Sequence, residues 1–229
     1  MKKYTILITT CFLVILGTNL ISQNKVSVIS GIHTANISAE GLNADFLDIN
    51  SISRFMGGVL YERALDKHLD IRTGVIYKTK GFKLNEAINV DIFNLPLPIG
   101  VKVTSELNTI DVPLMLTYNF KNNSNITPYF SAGPNFSYAT SGAIRTKATA
   151  ILDFTLTNTP LDLSSDAYNR LGIEGQLAGG VKIPYGKGEI TTEFAYSHAM
   201  NNFTSDDFII DTGIKNKGLS FSIGYGMYF

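Results

Sequence analysis

The chain has no tryptophan, a single cysteine among 229 residues, and no surplus of either charge, with 19 basic and 19 acidic residues. Each shortage removes a class of protein. Cys11 lies inside an N-terminal apolar run, Ile6 to Leu16, so the remainder of the chain offers no disulfide, no cysteine nucleophile and no thiolate metal site. Balanced charge without a basic patch leaves nothing to grip a phosphate backbone, so no nucleic acid partner is expected. Beyond that first run, no stretch approaches the roughly twenty unbroken apolar residues of a membrane helix. If the rest of the chain lives in lipid it must do so as a closed barrel, because lipid leaves no partner for an open strand edge.

The N-terminus reads as an address. Met1-Lys2-Lys3 is basic, the apolar run is interrupted only by Thr9 and Thr10, and a polar stretch ends at Gln23. This is the pattern of a secretory signal peptide, expected over residues 1–23 with cleavage near Ser22 to Asn24. A lipid-bearing cysteine would close the apolar run after small residues, whereas Cys11 stands between Thr10 and Phe12 in its middle. Residues 24–229 would keep 17 basic and 19 acidic residues, a length that suits one all-β domain.

What the chain does have is alternation. In a strand, successive side chains point to opposite faces. At the C-terminus Leu219, Phe221, Ile223, Tyr225, Met227 and Phe229 share one face, and Ser220, Ser222, Gly224 and Gly226 the other. Ile190, Thr192, Phe194 and Tyr196 likewise oppose Glu189, Thr191, Glu193, Ala195 and Ser197, while Ile110, Val112, Leu114, Leu116, Tyr118 and Phe120 oppose Asp111, Pro113, Met115, Thr117 and Asn119. The same period predicts eight strands, near 26–37, 53–63, 69–83, 107–120, 127–146, 171–183, 189–198 and 217–229. The first of these does not reveal its facing, and Pro113 and Pro134 each remove a ladder donor.

Short links with turn chemistry fall at 64–68, 121–126 and 184–188, and long ones near 38–52, 84–106, 147–170 and 199–216. Strict alternation of short and long links is the rhythm of an eight-stranded antiparallel up-and-down transmembrane β-barrel, with periplasmic turns at one rim and outer loops at the other. A soluble lipocalin-like barrel also alternates, with its apolar side chains inside. Three features favour the membrane form: charged faces interspersed with Gly, Ala and Ser, aromatics near strand ends (Tyr61, Tyr77, Tyr118, Tyr138, Tyr196, Phe229), and a chain that stops on its last strand. Arg54, Glu62, Asp70, Arg72, Lys78, Lys80, Asp111, Glu174, Lys182, Glu189 and Glu193 then point into the lumen. Eight strands leave room only for side chains, so a salt-bridged plug is expected in preference to a pore.

The final strand, ending on Phe229, resembles the closing strand of bacterial outer-membrane barrels, a resemblance that implies outer-membrane lipid and the barrel assembly machinery as partners. Leu107-Asn108-Thr109-Ile110-Asp111-Val112-Pro113-Leu114-Met115-Leu116-Thr117-Tyr118-Asn119-Phe120 resembles a motif of the PorT-like outer-membrane β-barrel family of Bacteroidetes. Ser30-Gly31-Ile32-His33-Thr34-Ala35-Asn36 and Pro128-Tyr129-Phe130-Ser131-Ala132-Gly133-Pro134 are similar to it as well. The resemblance implies a Gram-negative outer-membrane location and, as for some members, an association with protein secretion.

Catalytic constellations are thin. Ser197-His198 with Glu193 comes nearest to a hydrolase set for a barrel enzyme acting on lipid, yet adjacent strand residues face opposite ways. His33 and His68 form no metal pair, and Asp206, Asp207 and Asp211 lack calcium-loop spacing. No catalytic, cofactor-binding or metal residue is assigned, and no cofactor is expected. Val90 to Val103 and Ala150 to Leu156 are apolar for exposed links and read either as strands continuing beyond the membrane or as a surface for protein partners. The expected role is structural or interactive, through loops or rim. N-terminal sequencing of the protein extracted from membranes is expected to give a start within a residue or two of Ser22 to Asn24; a start at Met1 would contradict the processing.

Overall fold

The computed structural model describes residues 24–40, 49–92, 95–121, 125–149, 153–161, 163, 170–201 and 213–229. The expected signal segment and the acidic residues Asp206, Asp207 and Asp211 lie outside the described residues. The strands are β1 (Asn24–Glu40), β2 (Ile49–Asn50), β3 (Ile52–Ala64), β4 (Leu69–Ile92), β5 (Leu95–Asn119), β6 (Thr127–Thr149), β7 (Asp153–Pro160), β8 (Leu171–Tyr185), β9 (Gly188–Ala199) and β10 (Gly213–Tyr228). Eight of them, all but β2 and β7, close on themselves in the order β1-β3-β4-β5-β6-β8-β9-β10, each antiparallel to its neighbours. The closing seam is β1 on β10, in continuous register from Lys25↔Tyr228 to Glu40↔Gly213.

The period of two settles inside from outside. On β5 Ile110, Val112, Leu114, Leu116 and Tyr118 are 40–51% exposed, whereas Asp111, Met115 and Thr117 between them are at most 1% exposed. The lipocalin-like alternative fails on this arrangement, because charge is buried and bulk is outside. β1, whose facing the alternation left open, turns Lys25, Ser27, Ile29 and His33 inward and Val26, Val28 and Ile32 outward. An inner apolar patch of Ile29, Met56, Leu60 and Ile76 lines the β1-β3-β4 wall. Small residues opposite make the narrow bore possible: a Cβ at Gly226 would stand 2.2 Å from Ser27 Oγ and 3.0 Å from the Lys25 stem.

The short links match expectation, the tightest being the turn between β8 and β9, where Gly186 adopts φ 61°. The link expected over 84–106 is instead a hairpin. β4 and β5 stay paired from Leu69↔Tyr118 out to Ile92↔Leu95, so only residues 93 and 94 connect them. β6 likewise continues to Thr149 and pairs with β7. Val, Ile, Leu and Thr recurring along these segments favour the extended backbone, and the ladders to the partner strands pair its polar groups, so the segments extend as sheet. Beyond β7, Leu163 packs with Leu107 and Ala139, supported by Leu161, over the outer mouth. The prolines interrupt their ladders as their missing N–H groups require: pairing lapses between Thr73↔Leu114 and Ile76↔Asp111, and again between Pro113↔Asn135 and Leu116↔Ala132.

Ile223 faces outward on β10 and is 51% exposed. Ile223→Arg is expected to cost about 2–4 kcal/mol in lipid vesicles, as for a cation near the bilayer midplane. Urea titration read by gel mobility of the folded form checks this, with inward Ser222→Ala as the near-neutral comparison.

Candidate functional site

The lumen holds the chemistry. Near the short-turn rim Glu62 on β3 receives three cations from three other strands: Lys25 at 2.8 Å, Lys182 at 2.8 Å and Arg72 at 3.1 Å. Lys182 also contacts Asp70 at 3.0 Å, and Asn119 Nδ2 donates to the same carboxylate at 2.7 Å. Lys25 pairs further with Glu189, which accepts from the Tyr228 hydroxyl, and Arg72 pairs with Glu193, which accepts from the Tyr129 hydroxyl at 2.7 Å. This one network contains a residue from each of the eight barrel strands. Tyr129 sits at its centre, with the Arg72 guanidinium 5.1 Å and the Lys182 ammonium 5.2 Å from its ring. Gly180 opens the space, since a Cβ there would lie 2.8 Å from the Tyr129 hydroxyl.

A second network lies closer to the outer mouth. Lys78 contacts Asp111 at 2.9 Å and Glu174 at 3.4 Å, and Lys80 contacts the same two carboxylates. Asn135 Nδ2 donates to Asp111 at 2.5 Å and to Glu174 at 3.1 Å, and the Thr109 hydroxyl donates to Asp111 at 2.6 Å. Lys78, Asp111 and Glu174 are all at most 4% exposed. Burying an ion is tolerated only when paired and hydrogen-bonded, which is what both networks supply. At the outer mouth Glu106 holds Arg54 and Arg145, whose side chains are 42% and 48% exposed.

Every residue expected in the lumen is accounted for, and Arg54 alone stands in the open mouth. Lys25, Tyr129, Tyr228 and Asn135 were missed. For Lys25 the signal was its even spacing from the inward face of β1; for the others, it was their place on the inward period of β6 and β10, Tyr129 and Asn135 in step with Ser131 and Ser137, and Tyr228 in step with Ser220 and Ser222. The Ser197, His198 and Glu193 set does not assemble. Ser197 is buried on the lumen face with Glu193, His198 continues the outward face of Phe194 and Tyr196, and Glu193 is engaged by Arg72 and Tyr129. His33 sits in the lumen with Nδ1 2.8 Å from Ser220 Oγ, while His68 lies at the opposite rim stacked on Tyr118. Among the described residues no group of three or more His, Cys, Asp or Glu is placed to hold a metal ion.

A polar, ion-paired bore inside an apolar wall of eight antiparallel strands defines a transmembrane β-barrel. The family model "Outer membrane protein beta-barrel domain" matches residues 21–205, and the chain belongs to that family. Among solved structures, Neisserial surface protein A is similar at 12% identity and a TM-score of 0.42, with 87% of this chain and 95% of that one covered. OprG from Pseudomonas aeruginosa is similar at 12% identity and a TM-score of 0.42, covering 90% and 96%. The outer membrane protease OmpT from Escherichia coli is similar at 9% identity and a TM-score of 0.37, covering 90% and 97%. No curated protein matches the chain.

Glu62→Ala leaves three buried cations to share their three remaining carboxylates, Glu189, Glu193 and Asp70, without the charge at their centre, and is expected to cost about 3 kcal/mol, whereas Arg54→Ala at the open mouth is expected to cost less than about 1 kcal/mol. Parallel urea titrations of the refolded barrel check the contrast.

Proposed function

We propose that the protein is a non-enzymatic barrel of a Gram-negative outer membrane, delivered there after removal of residues 1–23. Its bore is closed, and its function is carried by what it displays: the β4–β5 hairpin and the β6–β7 hairpin at the outer rim. The role is structural or interactive, with protein secretion as the specific association implied by the resemblance to the PorT-like family of Bacteroidetes. Protein partners meet the outer hairpins or the periplasmic rim, and the barrel assembly machinery inserts the chain.

The observation that supports this reading best is the network around Glu62. It draws on all eight barrel strands, so opening a path for ions means breaking several buried ion pairs together. Against an enzyme acting on lipid stands the separation of Ser197 from His198 on opposite faces of β9, which parts this candidate nucleophile from its base.

In planar bilayers the purified protein is expected to give no steady conductance steps in about 1 M KCl, as befits an eight-stranded bore filled by side chains. Reproducible steps from wild-type protein would contradict the closed bore, and hydrolysis of phospholipid or glycolipid by the refolded barrel would contradict the non-enzymatic reading.

A further inference from the structure

The two lumen networks differ in charge. In the one nearer the outer mouth, Lys78 and Lys80 meet Asp111 and Glu174, two charges against two. In the one at the short-turn rim, Lys25, Arg72 and Lys182 meet Glu62, Asp70, Glu189 and Glu193, three cations against four carboxylates. The rim network is one positive charge short. A surplus charge held among buried side chains is costly, and a cation that joins it relieves the cost.

Space for one lies beside the deficit. A cavity of about 180 Å³ opens at this rim, lined by Glu62, Asp70, Asn119 and Glu189, all buried or half-buried, and by exposed Lys121. Two spaces further along the bore measure only about 10 and 20 Å³, room for a single water each. Asn119 is 3% exposed, and its Oδ1 has no hydrogen-bond partner among the described residues. Its Nδ2 donates to Asp70 Oδ2 at 2.7 Å, and Lys182 donates to the same oxygen at 3.0 Å, which leaves Asp70 Oδ1 unengaged among the described residues. Exchanging the two ends of the Asn119 amide would set oxygen against oxygen at Asp70, so the orphaned acceptor stays where it is. A buried amide oxygen without a donor is destabilising until one arrives. Lys121, two residues beyond the end of β5, contacts no carboxylate among the described residues.

We propose that this cavity binds a small zwitterionic amine of the amino-acid class. Its ammonium donates to Asp70 Oδ1 and Asn119 Oδ1 and supplies the missing positive charge, while its carboxylate meets Lys121 at the rim. An amine without a carboxylate would settle the deficit but leave Lys121 without a counter-charge. A carboxylate without an amine would deepen the deficit. On the outer-membrane reading above this rim faces the periplasm, but the chemistry of the cavity does not depend on that placement.

The test places the refolded barrel in lipid nanodiscs and follows saturation-transfer NMR with L-alanine, methylammonium and acetate. L-alanine is expected to bind about tenfold more tightly than methylammonium, with no measurable binding of acetate, and Asp70→Asn is expected to weaken L-alanine about tenfold. Lys121→Gln should bring L-alanine down to the level of methylammonium. Asp70→Asn should also unfold at the same urea concentration as wild type or a higher one, because its amide oxygen still accepts from Lys182 and Asn119 while the surplus charge is gone. Absence of saturation transfer to L-alanine, acetate binding as strong as that of L-alanine, or undiminished L-alanine binding by either variant would overturn the proposal. So would a lower urea midpoint for Asp70→Asn. Suppression of L-alanine binding by sodium chloride, but not by tetramethylammonium chloride at equal ionic strength, would overturn it by assigning the place to a bare cation.

Discussion

Among the described residues, one carboxylate, Glu62, gathers more cations than any other. Lys25, Arg72 and Lys182 converge on it from β1, β4 and β8, and each of those cations reaches on to a further acid on another strand. A barrel turned inside out relative to a soluble protein gains nothing from its outer face until lipid is present. Inside the bore, specificity must come from polar groups that fit only one set of partners. A shift of any strand by one residue would send its charges into lipid and its Val, Ile or Phe into the bore, so the networks and the register enforce each other. The apolar patch of Ile29, Met56, Leu60 and Ile76 fills the wall where no charge is available.

That interior also accounts for the division of labour along the barrel axis. Two charged networks are stacked along the bore, with the Leu107, Ala139 and Leu163 contact above them, and their paired groups tie the eight strands together. On the proposed reading, function is left to the ends. In the β4–β5 and β6–β7 hairpins the three barrel strands β4, β5 and β6 are prolonged as sheet, with β7 added beside β6, and no second domain is needed to present surface.

Much of this was legible in the sequence, for a physical reason. A membrane barrel must alternate on every strand, so Leu114, Leu116 and Tyr118 against Asp111, Met115 and Thr117 announced the strand and its two faces by their order, while small residues among the charges and aromatics near strand ends pointed to which face is outward. β1 was ambiguous because Ile29 faces inward and Ser30 outward, which blurs the contrast between the two faces. Residues 84–106 read as a loop because their sequence no longer separates charge from bulk by alternation, yet the backbone pairs on to Ile92↔Leu95. The candidate site was half visible. Charges betray the lumen by period two, but which charge meets which depends on how the closed barrel staggers its strands, and no single strand encodes that stagger. The role of Tyr129 was hidden for the same reason: only closure brings it between Arg72 and Lys182.

The central claim is that apolar side chains face lipid around a bore sealed by buried ion pairs. Residues 24–229 contain no native cysteine, so single spin labels can be placed from residue 110 to 118 on β5 without background. Collision rates with oxygen and with a water-soluble nickel chelate, measured in lipid vesicles, test the claim most directly. Labels at 110, 112, 114, 116 and 118 should collide freely with oxygen, and those at 111, 113, 115 and 117 with neither reagent. Free collision of the odd-numbered positions with the nickel chelate would mean a water-filled bore, and loss of the period of two would mean that this strand does not face lipid at all.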